Sequence, residues 1–395
     1  MSIEKSTENI TLPVMMISLA LALRQMSMTI VAPFISTYCK SLIGYTPLLA
    51  GIAVGAFGLM QALFQIPFGM LSDRYGNKRV LLSGLLLVIA GLITGFYAKS
   101  IFMLIFARVL QGSGAIIGVG YSWTAGLTDD PGLRTKSMSI LGAFVSAAAA
   151  LAFAVGPLLR NIMLVSQMFL AGAVLLTLNS LYILIFLKDT AKSSRLSVPK
   201  SSDILPLLRN RSFLLMNAAA FLNNFMMMSV FYAAPIYMDK ITGQEGMWKI
   251  FVPAIFLAIL YMKLCISCPG LRHNTILLLA FALSSISILC YFHPNSFLFL
   301  FLGTSLFLCG YVTIATVAAT HVNETLESSF RGTGNGIFNS FQYIGNFGGA
   351  LVTGALWEKS QHTAWIIVIA AGVTGFAAIA LYQLKSAPVI GEKRT

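Results

Sequence analysis

Charge is what this sequence has least of. Asp, Glu, Lys and Arg make up only 10% of its 395 residues, where a soluble domain carries about a quarter. Acids are the scarcer sign, 13 against 26 bases. All of them sit in tails, loops or the ends of apolar runs, from Glu4 and Glu8 through Asp73, Asp129, Asp130, Asp189, Asp203, Asp239, Glu245, Glu324, Glu327 and Glu358 to Glu392. The four His are peripheral too. A carboxylate in mid-membrane that carries a proton is therefore excluded. No nucleophile and base pair or ligand cluster lies inside the apolar runs, which argues against an enzyme, a metal or another cofactor. Cysteine is also sparse: five residues, of which Cys265-x-x-Cys268 has redox or metal spacing but no second pair and no His on a matching helix face. Those two read as small residues at a helix end.

What remains is apolar. Hydrophobic residues reach 57% and mean hydropathy +0.83, in runs of about 20 or more residues, the length that crosses a bilayer as a helix. Runs bounded by charge, Gly-Pro or polar clusters fall at 12–38, 47–69, 80–98, 100–125, 135–158, 163–187, 212–238, 248–268, 274–292, 296–320, 332–356 and 363–384. The fold class expected is an all-α membrane protein of twelve transmembrane helices. The first run is too long for a signal-peptide core, despite "ALA" at 20–22. The formal charge of +13 would suggest nucleic acid in a soluble protein, but here the bases occupy gaps between apolar runs. With both termini cytoplasmic, eighteen Lys and Arg lie on the inner side, including Lys5, Arg74, Lys78, Arg79, Arg134, Lys136, Arg331 and six at 188–211. Six lie outside: Lys40, Lys99, Arg160, Lys240, Lys249 and Lys359. That asymmetry orients the chain. The longest hydrophilic stretch, 188–211, divides the runs six and six, so two six-helix bundles are expected, 1–187 and 212–395, joined by a cytoplasmic linker. The basic residues of that linker suit an anionic leaflet. The partners expected are the lipid bilayer and a small-molecule substrate, with no nucleic acid, in a monomer.

One charge cluster calls for more than topology. "FGMLSDRYGNKR", 68–79, joins the second and third runs with Gly69, Asp73, Arg74, Gly76, Lys78 and Arg79. Gly69 would let a neighbouring backbone approach, and Gly76 permits the positive φ that a very short turn needs. Lys78 and Arg79 hold the loop inside. Asp73 is left seeking a positive partner. The stretch resembles the signature between helices 2 and 3 of the major facilitator superfamily. That resemblance implies two rocking bundles and a latch between Asp73 and the start of helix 11, here near Arg331, favouring the outward-open state. Arg108-x-x-Gln111-Gly112-x-Gly114 resembles the family's helix 4 motif, linked there with proton coupling. Gly156-Pro157 resembles the core of its antiporter motif, although Leu158, Leu159 and Arg160 stand where glycines are expected. "GSG" at 112–114 and "GTGNG" at 332–336 continue into apolar helix without a preceding strand, against a phosphate loop. Gly51 with Gly55, Gly332 with Gly336, and Gly345 with Gly349 have the spacing of close helix contacts.

Arg24 and Arg108 fall within spans, where each would cost about 2.5–3.5 kcal/mol in hydrocarbon, so both are expected to face a polar interior. Stripes at helical spacing complete that interior: Gln61 and Gln65; Asn217, Phe221 and Asn224; and Asn335, Asn339, Gln342, Tyr343 and Asn346. One amide alone reads as an interhelical hydrogen bond, whereas four on one face of span 11 read as cavity lining. The expected activity is secondary transport of a small amphipathic solute by alternating access in a bacterial cytoplasmic membrane. By resemblance to the drug/proton antiporter branch it is proton-driven efflux. An organic-anion carrier or facilitator is the alternative within transport, and a non-transporting membrane sensor or receptor the alternative of another class.

Overall fold

The computed structural model describes residues 2–128, 130–188, 209–268, 271–326 and 331–386, with the backbone alone at 2–10, 131, 331–333 and 385–386. These residues form twelve long helices. α1 runs Ser2–Val31 and continues through a 3-10 turn, Ala32–Phe34, into Ile35–Cys39. α2 is Pro47–Tyr75 and α3 Asn77–Phe96. α4 is Ile101–Ser113 followed, after a break, by Ile117–Ala125. α5 is Pro131–Leu159, α6 Val165–Phe186, α7 Arg211–Gly246 and α8 Trp248–Ser267. α9 is His273–Ser287 with a 3-10 end, α10 Phe297–Thr325, α11 Arg331–Trp357 and α12 Gln361–Ser386.

Local chemistry sets many of the starts. Thr46, Ser100, Asp130 and Asn210 each accept backbone N–H bonds at a first turn, and Pro47 and Pro131 occupy first helical positions where no N–H bond is lost. The α2–α3 turn closes on Gly76, whose φ of 90° is disfavoured for any residue with a Cβ. α7 runs past the expected end at 238 to Gly246, across a kink at Gly243 (φ 66°), where the backbone is not helical.

Eleven of the helices are long and apolar enough to cross a membrane. The exception to the twelve expected is α11, whose Asn335, Asn339, Gln342 and Asn346 and run of glycines dilute its hydropathy. Such a helix gains by facing protein rather than lipid, and α11 packs along both α2 and α7. Elsewhere α1 packs on α5 and α6, α3 on α4 and α6, α10 on α8 and α9, and α12 on α9 and α7. Contacts between the first six helices and the last six run α2–α11, α5–α8 and the end of α1 against α7.

Those contacts crowd one end. A methyl on Gly51 would lie 2.5 Å from Ala350 O, and one on Gly354 2.7 Å from Pro47 O. Tyr232 Oη donates to Pro47 O at 2.9 Å, Arg160 Nε donates to Gln244 Oε1 at 2.9 Å, and the Phe153 and Phe231 rings stand 5.1 Å apart. The antiparallel pair α2 and α11 stays in touch as far as Gly58, where a methyl would meet Tyr343 O at 3.1 Å. Further along, a methyl on Gly69 of α2 or Gly336 of α11 would meet nothing within 4 Å. The close approach expected at Gly69 and Gly336 is therefore not made, because the two helices have parted by that level. Gly332 lies outside the described side chains. Gly51→Val should push α2 off α11 at the crowded end and lower stability by about 1–3 kcal/mol, measurable as a lower melting temperature in detergent.

Candidate functional site

The polar interior of the first six helices begins with Arg24, only 1% exposed. Its Nη2 donates to Gln61 Oε1 at 2.8 Å and to Gly114 O at 3.2 Å. Arg108, 5% exposed, donates from Nη1 to Gln111 Oε1 at 2.7 Å and from Nε to Ala53 O at 3.3 Å, and Gln111 Nε2 donates on to Gly91 O at 3.1 Å. Both guanidinium groups rest on one aromatic ring: Phe57 has Arg108 at 4.8 Å and Arg24 at 5.7 Å from its centroid, which offsets part of the burial cost. The one ion pair among the described residues is His273 with Glu324, 3.6 Å apart and remote from this layer. The arginines thus have amides, carbonyls and a ring for company, but no carboxylate.

The break in α4 belongs to this layer. Gly112 and Gly114 let α4 lie on its neighbours: a methyl on Gly112 would sit 2.4 Å from Phe57 O, and one on Gly114 2.4 Å from Gly84 O. The helix stops at Ser113 and resumes at Ile117. Its second segment makes its first backbone bond from Gly120 N to Ile116 O at 3.0 Å.

The other expected cavity residues divide. Tyr343 and Asn346 back onto Gly58, and Tyr343 lies within electrostatic reach of Arg24, Tyr121 and Tyr311. Gln65 stands beside Gly118, 3.8 Å from the place of a methyl there. Asn335 Nδ2 donates to Asn323 Oδ1 of α10 at 2.7 Å, and Asn339 and Gln342 are half-buried. Asn217 and Asn224 bridge no helices: their amides donate to Phe213 O and Ala220 O, one turn back in α7. Phe221 lies against Gly345, and its ring is 6.4 Å from that of Phe225. Asn223, 1% exposed, reaches across instead and donates to Tyr311 O at 3.1 Å. The sequence reading missed Asn223, Tyr121 and Tyr311; adjacency to Asn224 marks the first, and the tyrosines stand outside the amide stripes. Gly156 brings α5 onto α1, a methyl there being 2.6 Å from Ile30 O, and Pro157 follows within the helix.

In the α2–α3 turn, Lys78 does more than hold the loop. Its Nζ donates to Leu184 O at 3.0 Å and Leu187 O at 2.7 Å, closing the carbonyl end of α6 where a cation is favoured. Arg74 lies over the Tyr75 ring at 5.3 Å, and Arg79 is exposed. Asp73 is exposed and has no partner among the described residues; the Arg331 side chain expected to meet it lies outside them.

Residues 17–269 match the family described as the Major Facilitator Superfamily. The chain belongs to that superfamily. It is 27% identical over 338 residues to the inner membrane transport protein YajR of Escherichia coli (strain K12), across 84% of this chain and 74% of YajR. It is 29% identical over 359 residues to an uncharacterized transporter of Buchnera aphidicola subsp. Baizongia pistaciae (strain Bp), across 86% and 89%. In fold it resembles the human organic anion transporter MFSD10 (TETRAN), with a TM-score of 0.64 and 17% identity over 93% of this chain and 98% of that one. A mutant of the nucleoside transporter NupG gives a TM-score of 0.72 and 14% identity over 94% and 100%. The superfamily and these relatives are transporters rather than enzymes.

Lys78→Met should remove the cap on α6 and lower the melting temperature, at a cost of about 1 kcal/mol, while Lys78→Arg retains most of it.

Proposed function

We propose that this superfamily transporter is a secondary active carrier that moves a small amphipathic solute across a bacterial cytoplasmic membrane by alternating access, as proton-driven efflux. The observation that carries the reading is the one-ended contact between α2 and α11, close from Gly51 to Gly58 and parted at Gly69 and Gly336. Two rigid groups of helices hinged in this way would expose one central layer to one side at a time. In this reading 1–187 and 212–395 are the two bundles, 188–211 is their linker, and both termini are cytoplasmic, so the parted end faces inward. Asp73 then belongs to a latch that closes in the opposite state. A second reading, an organic-anion carrier, is favoured by the two arginines that no carboxylate neutralises. The fold shared with an organic anion transporter is compatible with it.

Reconstitution in liposomes with and without an imposed pH gradient, screened with labelled amphipathic compounds, tests the transport reading. Gradient-dependent movement is expected, and none for any compound would overturn it. In the same vesicles Asp73→Asn should reduce transport several-fold while inserting normally. A cysteine placed at 336 should then be labelled more readily from the inner side, whereas unchanged labelling with full activity would sink the latch. Arg108→Ala should uncouple transport from the gradient in protein that still melts cooperatively; loss of folding would make Arg108 a packing residue.

A further inference from the structure

The first backbone bond of the second α4 segment starts at Gly120, so the N–H groups of Ile117, Gly118 and Val119 precede it without a helical acceptor. They form the positive end of a nine-residue helix segment inside the protein. The Arg24 guanidinium is held at the same break through Gly114 O, and it offers a second, independent sign. Both of its hydrogen bonds leave from Nη2, while Nε is buried with no partner. Gln61, which it also holds, and Gln65, beside Gly118, are one turn apart on α2. Gly118 itself is half-buried, and a methyl there would meet only the Gln65 side chain. Gln61 and Gln65 follow Gly58 on α2; Arg24 and Gln61 are 1% exposed, and Gln65 and Gly118 are half-buried.

We propose that the broken end of α4 and Arg24 form a seat for an oxyanion, the carboxylate or sulfonate of an amphipathic substrate, with Gln65 beside it. A helix N-terminus and a guanidinium are both donors without acceptors, so a cation is repelled by both, and a neutral compound gains less from either than an oxyanion does. Arg108 has a different part, since its Nη1 and Nε are spent on Gln111 and Ala53 O. The proposal rests on the cavity being the transport path, yet it is a statement about binding and is tested without transport.

The full chain, purified in detergent, is dialysed against radiolabelled 1-naphthoate and against 1-naphthalenemethanol, a neutral compound with the same rings. Naphthoate should bind about tenfold more tightly than the alcohol. Arg24→Gln should erase that difference and leave the alcohol within about twofold. Arg24→Lys keeps the charge but not the fork of donors, and should lose roughly fivefold for naphthoate. Gly118→Ala, whose methyl makes only ordinary contact with Gln65 at 3.8 Å and should not disturb folding, should weaken naphthoate roughly threefold by crowding the amides; it keeps the test decisive if Arg24→Gln does not fold. Sulfate that displaces naphthoate from the native chain but not from Arg24→Gln would show that the seat also takes a free oxyanion, in support. Equal affinity for acid and alcohol, or naphthoate binding unmoved by the Arg24 and Gly118 changes, would overturn it. Failure here leaves proton-driven movement of neutral compounds standing, and failure of the liposome assay leaves this binding result standing.

Discussion

Two guanidinium groups on one phenylalanine ring, with no carboxylate beside them, set the terms for the first six helices. Each would cost several kcal/mol if its donors met only hydrocarbon, so the surrounding helices must furnish acceptors. They do so in two short chains. One passes from Gly114 O and Gln61 to Arg24, the other from Ala53 O to Arg108 to Gln111 to Gly91 O. Together these chains tie α1, α2, α3 and α4 to one another. Backbone carbonyls become available only where helices touch closely, which is why Gly84, Gly91, Gly112 and Gly114 stand where added methyls would strike neighbouring atoms under 3 Å away. The break in α4 follows from the same demand.

α11 answers a different constraint. It carries too many amides and glycines to be a lipid-facing span, and its amides fall between Asn335 and Asn346, ahead of the small residues from Gly348 to Gly354. Methyls on Gly345 and Gly349 would lie 2.3 and 2.1 Å from Phe221 O and Phe225 O, so α11 is pressed against α7. Against α2 it is close only from Gly51 to Gly58. Surfaces made of small residues have shallow relief and few interlocking side chains, so one helix can tilt on another without breaking a packed core. A helix fixed to one partner and free to part from the other is the mechanical element that alternating access requires.

Much of this was legible from residue pattern. Apolar runs of bilayer length gave the helices, and the burden of charge in a membrane gave the inward-facing arginines and their polar neighbour Gln61. What escaped has physical reasons. Helical spacing shows which residues share a face but not whether an amide reaches across or folds back on its own helix. Asn217 and Asn224 fold back, while Asn223 crosses to α10. The end of α7 was misplaced because hydropathy marks where the apolar run ends, whereas the helix carries on to the kink at Gly243. Under the proposed alternating access, the open space at Gly69 belongs to one conformation of a moving pair. A sequence encodes both conformations at once, so a glycine needed for contact in one state stands free in the other.

The arginine layer also bears on what can be carried and what can titrate. In an effective dielectric of about 20, a unit charge roughly 7 Å from each guanidinium interacts with it by about 2.4 kcal/mol. Two such terms oppose a cation and favour an anion by similar amounts, each about three orders of magnitude in affinity relative to a neutral solute before other contacts are counted. Arginine stays charged throughout, so a proton cannot be released from this layer to make room for a cation, as a buried carboxylate would allow. The proton of a coupled cycle must then travel on the solute's own acid group or on a helix-end acid. Asp239 is such a group, placed where α7 meets the end of α1 and within electrostatic reach of Lys40. It stands at the crowded end, away from the proposed seat.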